Sequence, residues 1–279
     1  MMKKIFFFSF LVICATSIRA QNSEIGPFMG TSFYIGDLTP TTIFSQPQLA
    51  GGIIYRYNIN PRWAIKANLL FAKVKGSDYE TNDQYARNLS FQSPITEISV
   101  QGELNFFNLP IKSGKFGITP YICAGISVFS FNPQAELDGT LYSLQHLGTE
   151  GQGLPGEKKF YSLTHVAIPF GLGVKMNIGK YVSLGVEWGM RYTFTDYLDD
   201  VGNVYYDNDL LLEHRGEVVA ALADRSGLKN PAGIGRGNVK TKDMYSFLGA
   251  FAAFKFGNSS SSCDIKTNVN LRRNMGKKY

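Results

Sequence analysis

The sequence predicts an all-β fold, an eight-stranded antiparallel transmembrane β-barrel with long extracellular loops and short periplasmic turns. Three observations predict it. Stretches in which apolar and polar residues alternate recur eight times. The connections between them alternate short and long along the whole chain. The chain also opens with an export segment and has no later run of 18 apolar residues, so a membrane crossing would have to be made by strands closed on themselves.

Lys3 and Lys4 precede an apolar run from Ile5 to Ile13. Ala15 to Ala20 is small or polar, and Gln21 follows. That layout is a secretory signal peptide, with cleavage expected after Ala20. Cys14 lies too early, behind Ile13, to be a lipoprotein site. Loss of Lys3, Lys4 and Arg19 takes the formal charge from +6 to +3. The remaining basic residues form no long patch, which argues against nucleic acid as a partner. Cys123 and Cys263 remain, too few for a disulfide framework. The expected organisation is a signal peptide over 1–20, a barrel over 21–256 and a basic periplasmic tail over 257–279.

The clearest strand is Tyr181 to Asp196. Val182, Leu184, Val186, Trp188, Met190, Tyr192 and Phe194 alternate with Ser183, Gly185, Glu187, Gly189, Arg191, Thr193 and Thr195. Strand side chains alternate faces, so this run has one apolar and one polar face. Arg62 to Val74, Pro94 to Phe107 and Phe160 to Ile178 repeat the pattern, and Glu24 to Asp37, Leu49 to Ile59, Phe116 to Phe131 and Lys242 to Phe256 carry it with more glycine. Asn60-Pro61, Asn108 to Lys115 and Gly179-Lys180 are the short connections. Thr39 to Gln48, Gly76 to Ser93, Asn132 to Lys159 and Tyr197 to Thr241 are the long ones. Outer-membrane barrels sort their loops this way, with both termini in the periplasm when the strand number is even. Tyr55, Tyr57, Trp63, Tyr192 and Phe194 sit near strand ends, where an interfacial girdle is expected.

Alternation places Glu24, Arg56, Arg62, Lys66, Glu97, Glu103, Lys175, Glu187, Arg191 and Lys255 inside. Eight strands leave room for side chains or one small ligand. Mixed charges there predict a lumen salt-bridge network that plugs the barrel. A catalytic reading of Glu97 or Glu187 is the lesser alternative. No cofactor, metal or catalytic set is expected. His146, His165 and His214 have no ligand spacing, and Gly148 to Gly153 lacks the helix N-terminus that would hold a phosphate. Asp196, Asp199, Asp200, Asp207 and Asp209 are expected to be a solvated acidic loop rather than a calcium site. A helix is expected over Glu217 to Ser226, capped by Gly227.

A family resemblance rests on short, ordered runs spread over the mature chain. They are Tyr34-Ile35-Gly36-Asp37-Leu38, Tyr55-Arg56-Tyr57-Asn58, Asn88-Leu89-Ser90-Phe91, Phe131-Asn132-Pro133-Gln134-Ala135, Leu147 to Gly153, Glu187 to Val201 and Asp224-Arg225-Ser226. With the signal peptide, these resemble the PorG-type outer-membrane barrels of the type IX secretion system. The resemblance implies a non-enzymatic subunit in outer-membrane lipid that associates with a periplasmic ring lipoprotein and its partner subunit. It carries over no catalytic or contact residues. The alternative is a small outer-membrane barrel for ligand binding, transport or lipid modification. Cys263, unpaired in a basic tail in an oxidising compartment, is a candidate for a disulfide to a ring subunit.

Overall fold

A computed structural model describes residues 23–39, 44–81, 86–109, 116–238 and 241–256. Eight long strands carry the wall: β1 (Ser23–Ile35), β2 (Gln48–Asn58), β3 (Trp63–Ser77), β4 (Ser90–Asn105), β5 (Gly117–Phe131), β8 (Thr164–Ile178), β9 (Val182–Thr193) and β10 (Met244–Phe256). A short hairpin, β6 (Gln134–Leu137) and β7 (Thr140–Ser143), follows β5 and pairs with the start of β4 at Gln92↔Gln134. Among the described residues, four short helices lie in the long loops: α1 (Asp78–Thr81), α2 (Leu144–Leu147), α3 (Asn208–Arg215) and α4 (Glu217–Ala223).

Every wall strand pairs antiparallel with its sequence neighbour. β1 also pairs β10, from Ser23↔Phe256 to Ile35↔Met244, and that contact closes the barrel without a free edge. Closure matters because an open edge would leave a row of unpaired N–H and C=O groups.

Burial alternates with the pleat. In β4, Ile95, Glu97, Ser99, Gln101, Glu103 and Asn105 are buried, while Thr96, Ile98, Val100 and Gly102 are exposed. The exposed wall therefore bears Met29, Ile53, Ile65, Phe71, Ile98, Val100, Ile122, Ile126, Val166, Phe170, Leu172, Val186 and Leu248. An apolar belt of that extent has no place on a protein surrounded by water. It suits hydrocarbon, and strands of 11 to 16 residues are long enough to cross it when tilted. No helix among the described residues is long and apolar enough to cross a membrane.

The expected strands are all present, with shifted ends. β4 starts at Ser90 because Phe91 and Gln92 continue pairing with Gly76 and Lys75, beyond Pro94. β8 starts at Thr164, not Phe160, because Tyr161 turns away into the loop layer. α4 ends at Ala223 rather than Ser226. The Asp224 carboxylate accepts from Ser226 N, Ser226 Oγ and Asn230 N, which folds the chain into a tight turn. Gly227, expected as the cap, lies beyond that turn with φ 69°. The segments expected to be a signal peptide (1–20) and a basic tail (257–279, with Cys263) lie outside the described residues.

Candidate functional site

Two sites emerge from the sequence outward, a lumen filled by ion pairs and a cap built from the long loops. In the lumen the register brings Glu24, Arg56 and Lys66 side by side across β1, β2 and β3. Arg56 donates from Nη1 to Glu24 at 3.1 Å and from Nε to Glu103 at 3.0 Å. Lys175 pairs with the other oxygen of Glu103. Asn58 donates to the free oxygen of Glu24 at 2.9 Å. One layer further along, Lys66 meets Glu187 at 2.5 Å, and Tyr121 donates to the same carboxylate at 2.6 Å. Lys66 also lies 3.5 Å from the Cys123 sulfur, a buried thiol. Beyond them Arg191 clasps Glu97 at 3.0 Å, and Tyr245 donates to Glu97 at 2.8 Å.

These eight groups are four cations and four carboxylates, all buried. Charge is therefore balanced, and each charge has an opposite partner within bonding distance. Among these groups Arg56 Nη2 alone lacks a hydrogen-bond partner, and its guanidinium lies 4.8 Å from the Phe251 ring centre, a cation–π contact. Tyr121 fits across the lumen because a Cβ at position 173 would overlap its ring; glycine leaves that space. A void of about 10 Å³ beside Phe28, Asn68, Glu187 and Arg191 holds no more than one water.

Of the predicted lumen residues, Arg56, Lys66, Glu97, Glu103, Lys175, Glu187 and Arg191 lie together in this packing. Arg62 does not. It sits in the 59–62 turn, exposed, and donates from Nε to Asn108 Oδ1 at 3.0 Å. The physical reason is that β3 begins at Trp63, so the alternation extrapolated to Arg62 fails one residue before the strand. Lys255 is only half-buried at the barrel mouth.

The cap closes the other end. Arg87 binds Asp78 through both oxygens, and its guanidinium also donates to the carbonyls of Asp37 at 2.8 Å and Arg236 at 2.6 Å, tying three loops. Arg236 is buried and donates to the carbonyls of Ala223 and Asp200 and to Glu150. Glu150 accepts in turn from the backbone of Gly202 and Asn203. Asp200 accepts from Thr149 at 2.5 Å and Tyr161 at 2.7 Å. Burial is the chief reason its carboxyl is pushed up to about 6, with Arg236 acting in the opposite direction.

Tyr34 Oη lies 2.5 Å from Asp199 and 2.8 Å from Asp243. A phenol has one proton and can donate to one of them. The second contact needs a proton on a carboxyl, so the pair holds one between them. Burial first, and the neighbouring carboxylates with it, hold both acids well above the usual carboxylate range. Gly36 is required beside them, because a Cβ there would overlap both Asp243 and the Tyr34 hydroxyl.

Asp196, Asp199 and Asp200 are thus buried anchors of the cap, which corrects the expected solvated loop. Asp207 instead caps α3 by accepting from Asp209 N and Leu210 N, and Asp209 is exposed. A cavity of about 440 Å³ opens on the cap surface, lined by Asp37, Arg87, Tyr205, Leu228, Ile234 and Arg236 among others. His165 contacts the Ser162 carbonyl and the rings of Phe129 and Phe131, and the Ser162 hydroxyl donates to the Thr164 carbonyl.

Residues 3–211 match the family described as Domain of unknown function (DUF6089). The chain belongs to this family. No curated protein matches the chain. Among solved structures, this DUF6089 member resembles Neisserial surface protein A (NspA) at 11% identity and TM-score 0.42, over 84% of this chain and 97% of the other. Outer membrane protein OprG from Pseudomonas aeruginosa superposes at 8% identity and TM-score 0.40, over 85% and 96%. Ail of Yersinia pestis, in complex with a heparin analogue, does so at 9% and 0.38, over 84% and 97%. Superpositions this loose say nothing of ligands or partners. Closure of the eight strands, the apolar belt and the filled lumen make this DUF6089 member a barrel of the bacterial outer-membrane type.

Proposed function

We propose that the protein is a non-enzymatic outer-membrane component of a secretion machine of the type IX kind, anchoring or assembling a periplasmic ring of a lipoprotein and its partner subunit. The observation that carries this reading is the lumen. Its charges are paired and its space is filled, so the interior offers no route for a solute and no free acid or base for catalysis. What is left to act is the outside of the barrel. The ordered motifs that resemble the PorG-type barrels supply the machine.

On this reading the short turns and the 257–279 segment face the periplasm and the cap faces outward. Residues 1–20 are then removed on export, and Cys263 is the candidate for a disulfide with a ring subunit. Gentle membrane extraction followed by affinity purification should bring down a ring lipoprotein; recovery of none would contradict the assignment. Non-reducing gels of native membranes should show a thiol-sensitive band that Cys263→Ser abolishes, and a band unchanged by that substitution would remove Cys263 from the contact.

A second reading is favoured by the cap cavity, whose volume is in the range of small-molecule sites. In that case the protein is a ligand-binding barrel of the cell surface, with its specificity in the loops.

A further inference from the structure

At the short-turn end one pattern recurs. Each of the three turns finishes on a cation followed by an aromatic residue, just before or at the start of the next strand. The pairs are Arg62-Trp63 before β3, Lys115-Phe116 before β5 and Lys180-Tyr181 before β9. Trp63 is 51% exposed, Phe116 68% and Tyr181 70%. Arg62 and Lys180 are exposed and form no ion pair among the described residues. Arg62 is held between two turns by its Nε bond to Asn108, which leaves both terminal nitrogens of the guanidinium without a bond among the described residues.

Charge elsewhere in the chain sharpens the contrast. Of the 22 acidic residues, Glu24, Glu97, Glu103 and Glu187 line the lumen, Asp264 lies in 257–279, and all the others fall in the long-loop segments. The segments 59–62, 106–116 and 179–181 contain Arg62, Lys112, Lys115 and Lys180 and no acid at all.

We propose that this rim, at Arg62-Trp63 and Lys180-Tyr181, binds the headgroups of anionic phospholipids, with the rings at the glycerol level and the cations one step further out against the phosphates. Amphipathic rings settle at the bilayer interface, and basic side chains just beyond it are drawn to anionic lipid. An acidic protein would dock on one side of the rim and would not need the motif on every turn. A headgroup layer surrounds the whole circumference, and the pairs at the β2–β3 and β8–β9 turns lie four strands apart, on opposite sides of the wall. The inference rests on the barrel spanning a bilayer, not on the secretion reading or on which end faces the periplasm.

The test uses the purified full chain in phosphatidylcholine vesicles carrying a trace of spin-labelled phosphatidylglycerol or spin-labelled phosphatidylcholine. Electron paramagnetic resonance then reports the relative affinity of the two lipids for the barrel surface. The wild type should prefer phosphatidylglycerol about two- to fivefold at low salt, and the preference should fall towards one at about 0.5 M salt. Arg62→Gln/Lys180→Gln should lose most of it, whereas Arg62→Lys/Lys180→Arg should keep it. Lys158→Gln/Lys159→Gln, at the opposite end, should leave it unchanged. Both test positions are exposed, and heat-dependent gel migration checks that each variant is folded. No preference in the wild type would overturn the proposal and make an acidic protein surface the better partner. A preference that survives the rim substitutions, or falls equally with the Lys158/Lys159 pair, would overturn it too.

Discussion

Lys66 and Glu187 meet at 2.5 Å with no solvent around the lysine, so each depends on the other. Removing one partner of a buried pair strands the other charge, at a cost of about 3–5 kcal/mol, whereas replacing both with apolar groups of similar size is close to neutral. Lys66→Met and Glu187→Met should therefore each destabilise the barrel strongly, and the double variant should recover much of the loss. Urea unfolding in detergent micelles, analysed as a double-mutant cycle, checks this; additive losses would contradict it. The cap is expected to respond to pH with a definite sign. Asp200 is raised to about 6, against about 3.9 for an unfolded aspartate, so the folded cap binds the extra proton. Its contribution is fully present below about pH 4 and is lost as pH rises through about 6. Asp199 and Asp243, also raised chiefly by burial, act with the same sign. Amide exchange across residues 197–203 should accelerate from pH 4 to pH 7 after correction for intrinsic rates; protection that is flat or rises would refute the proton sharing.

Strand β9 is legible from its residues alone. Its strict alternation from Val182 to Thr193 separates a lipid face from a lumen face, and a period-two signal of that length has no helical counterpart. Arginine on the lipid face near the bilayer midplane costs about 2–4 kcal/mol. Leu172→Arg, on the exposed face of β8, should lower the yield of refolded barrel in vesicles by that measure, with unchanged yield counting against the membrane-facing belt. The cap elements are less legible, for reasons that can be named. The β6–β7 hairpin turns at Asp138-Gly139, both with positive φ. That dipeptide is a strong turn signal, but it stands inside a segment whose length suggests a single long loop. Helix α3 is hidden because Asp207 looks like part of an acidic run, although an aspartate before Asn208-Asp209-Leu210 is also a capping signal. The burial of Asp199 and Asp200 has no local signal at all. It depends on Tyr34, Thr149, Tyr161 and Arg236, which come from other parts of the chain. Arg62 marks the opposite limit, where one residue of error in a strand boundary moves a side chain from the lumen to the rim. Arg236→Ala should release the cap while leaving the barrel closed. Limited proteolysis should then cut between residues 194 and 243 with heat-dependent gel migration preserved, and simultaneous loss of that migration would mean that cap and wall are one cooperative unit.

At the scale of the whole molecule, closure, belt and lumen depend on one another. A closed wall satisfies the backbone in lipid, the apolar belt places the wall in lipid, and the paired interior removes the channel that a wider barrel would have. The lumen is neutral as a set, with layers from Glu24 to Glu97 all occupied, so the seal does not depend on a single side chain. On the proposed readings the working surfaces are the two ends, the basic aromatic rim and the cross-braced cap. Conductance of the purified protein in a planar bilayer tests this account most directly. A sealed eight-stranded barrel should give no sustained single-channel steps above the bare membrane. Reproducible steps of porin-like size from folded, heat-modifiable protein would contradict it.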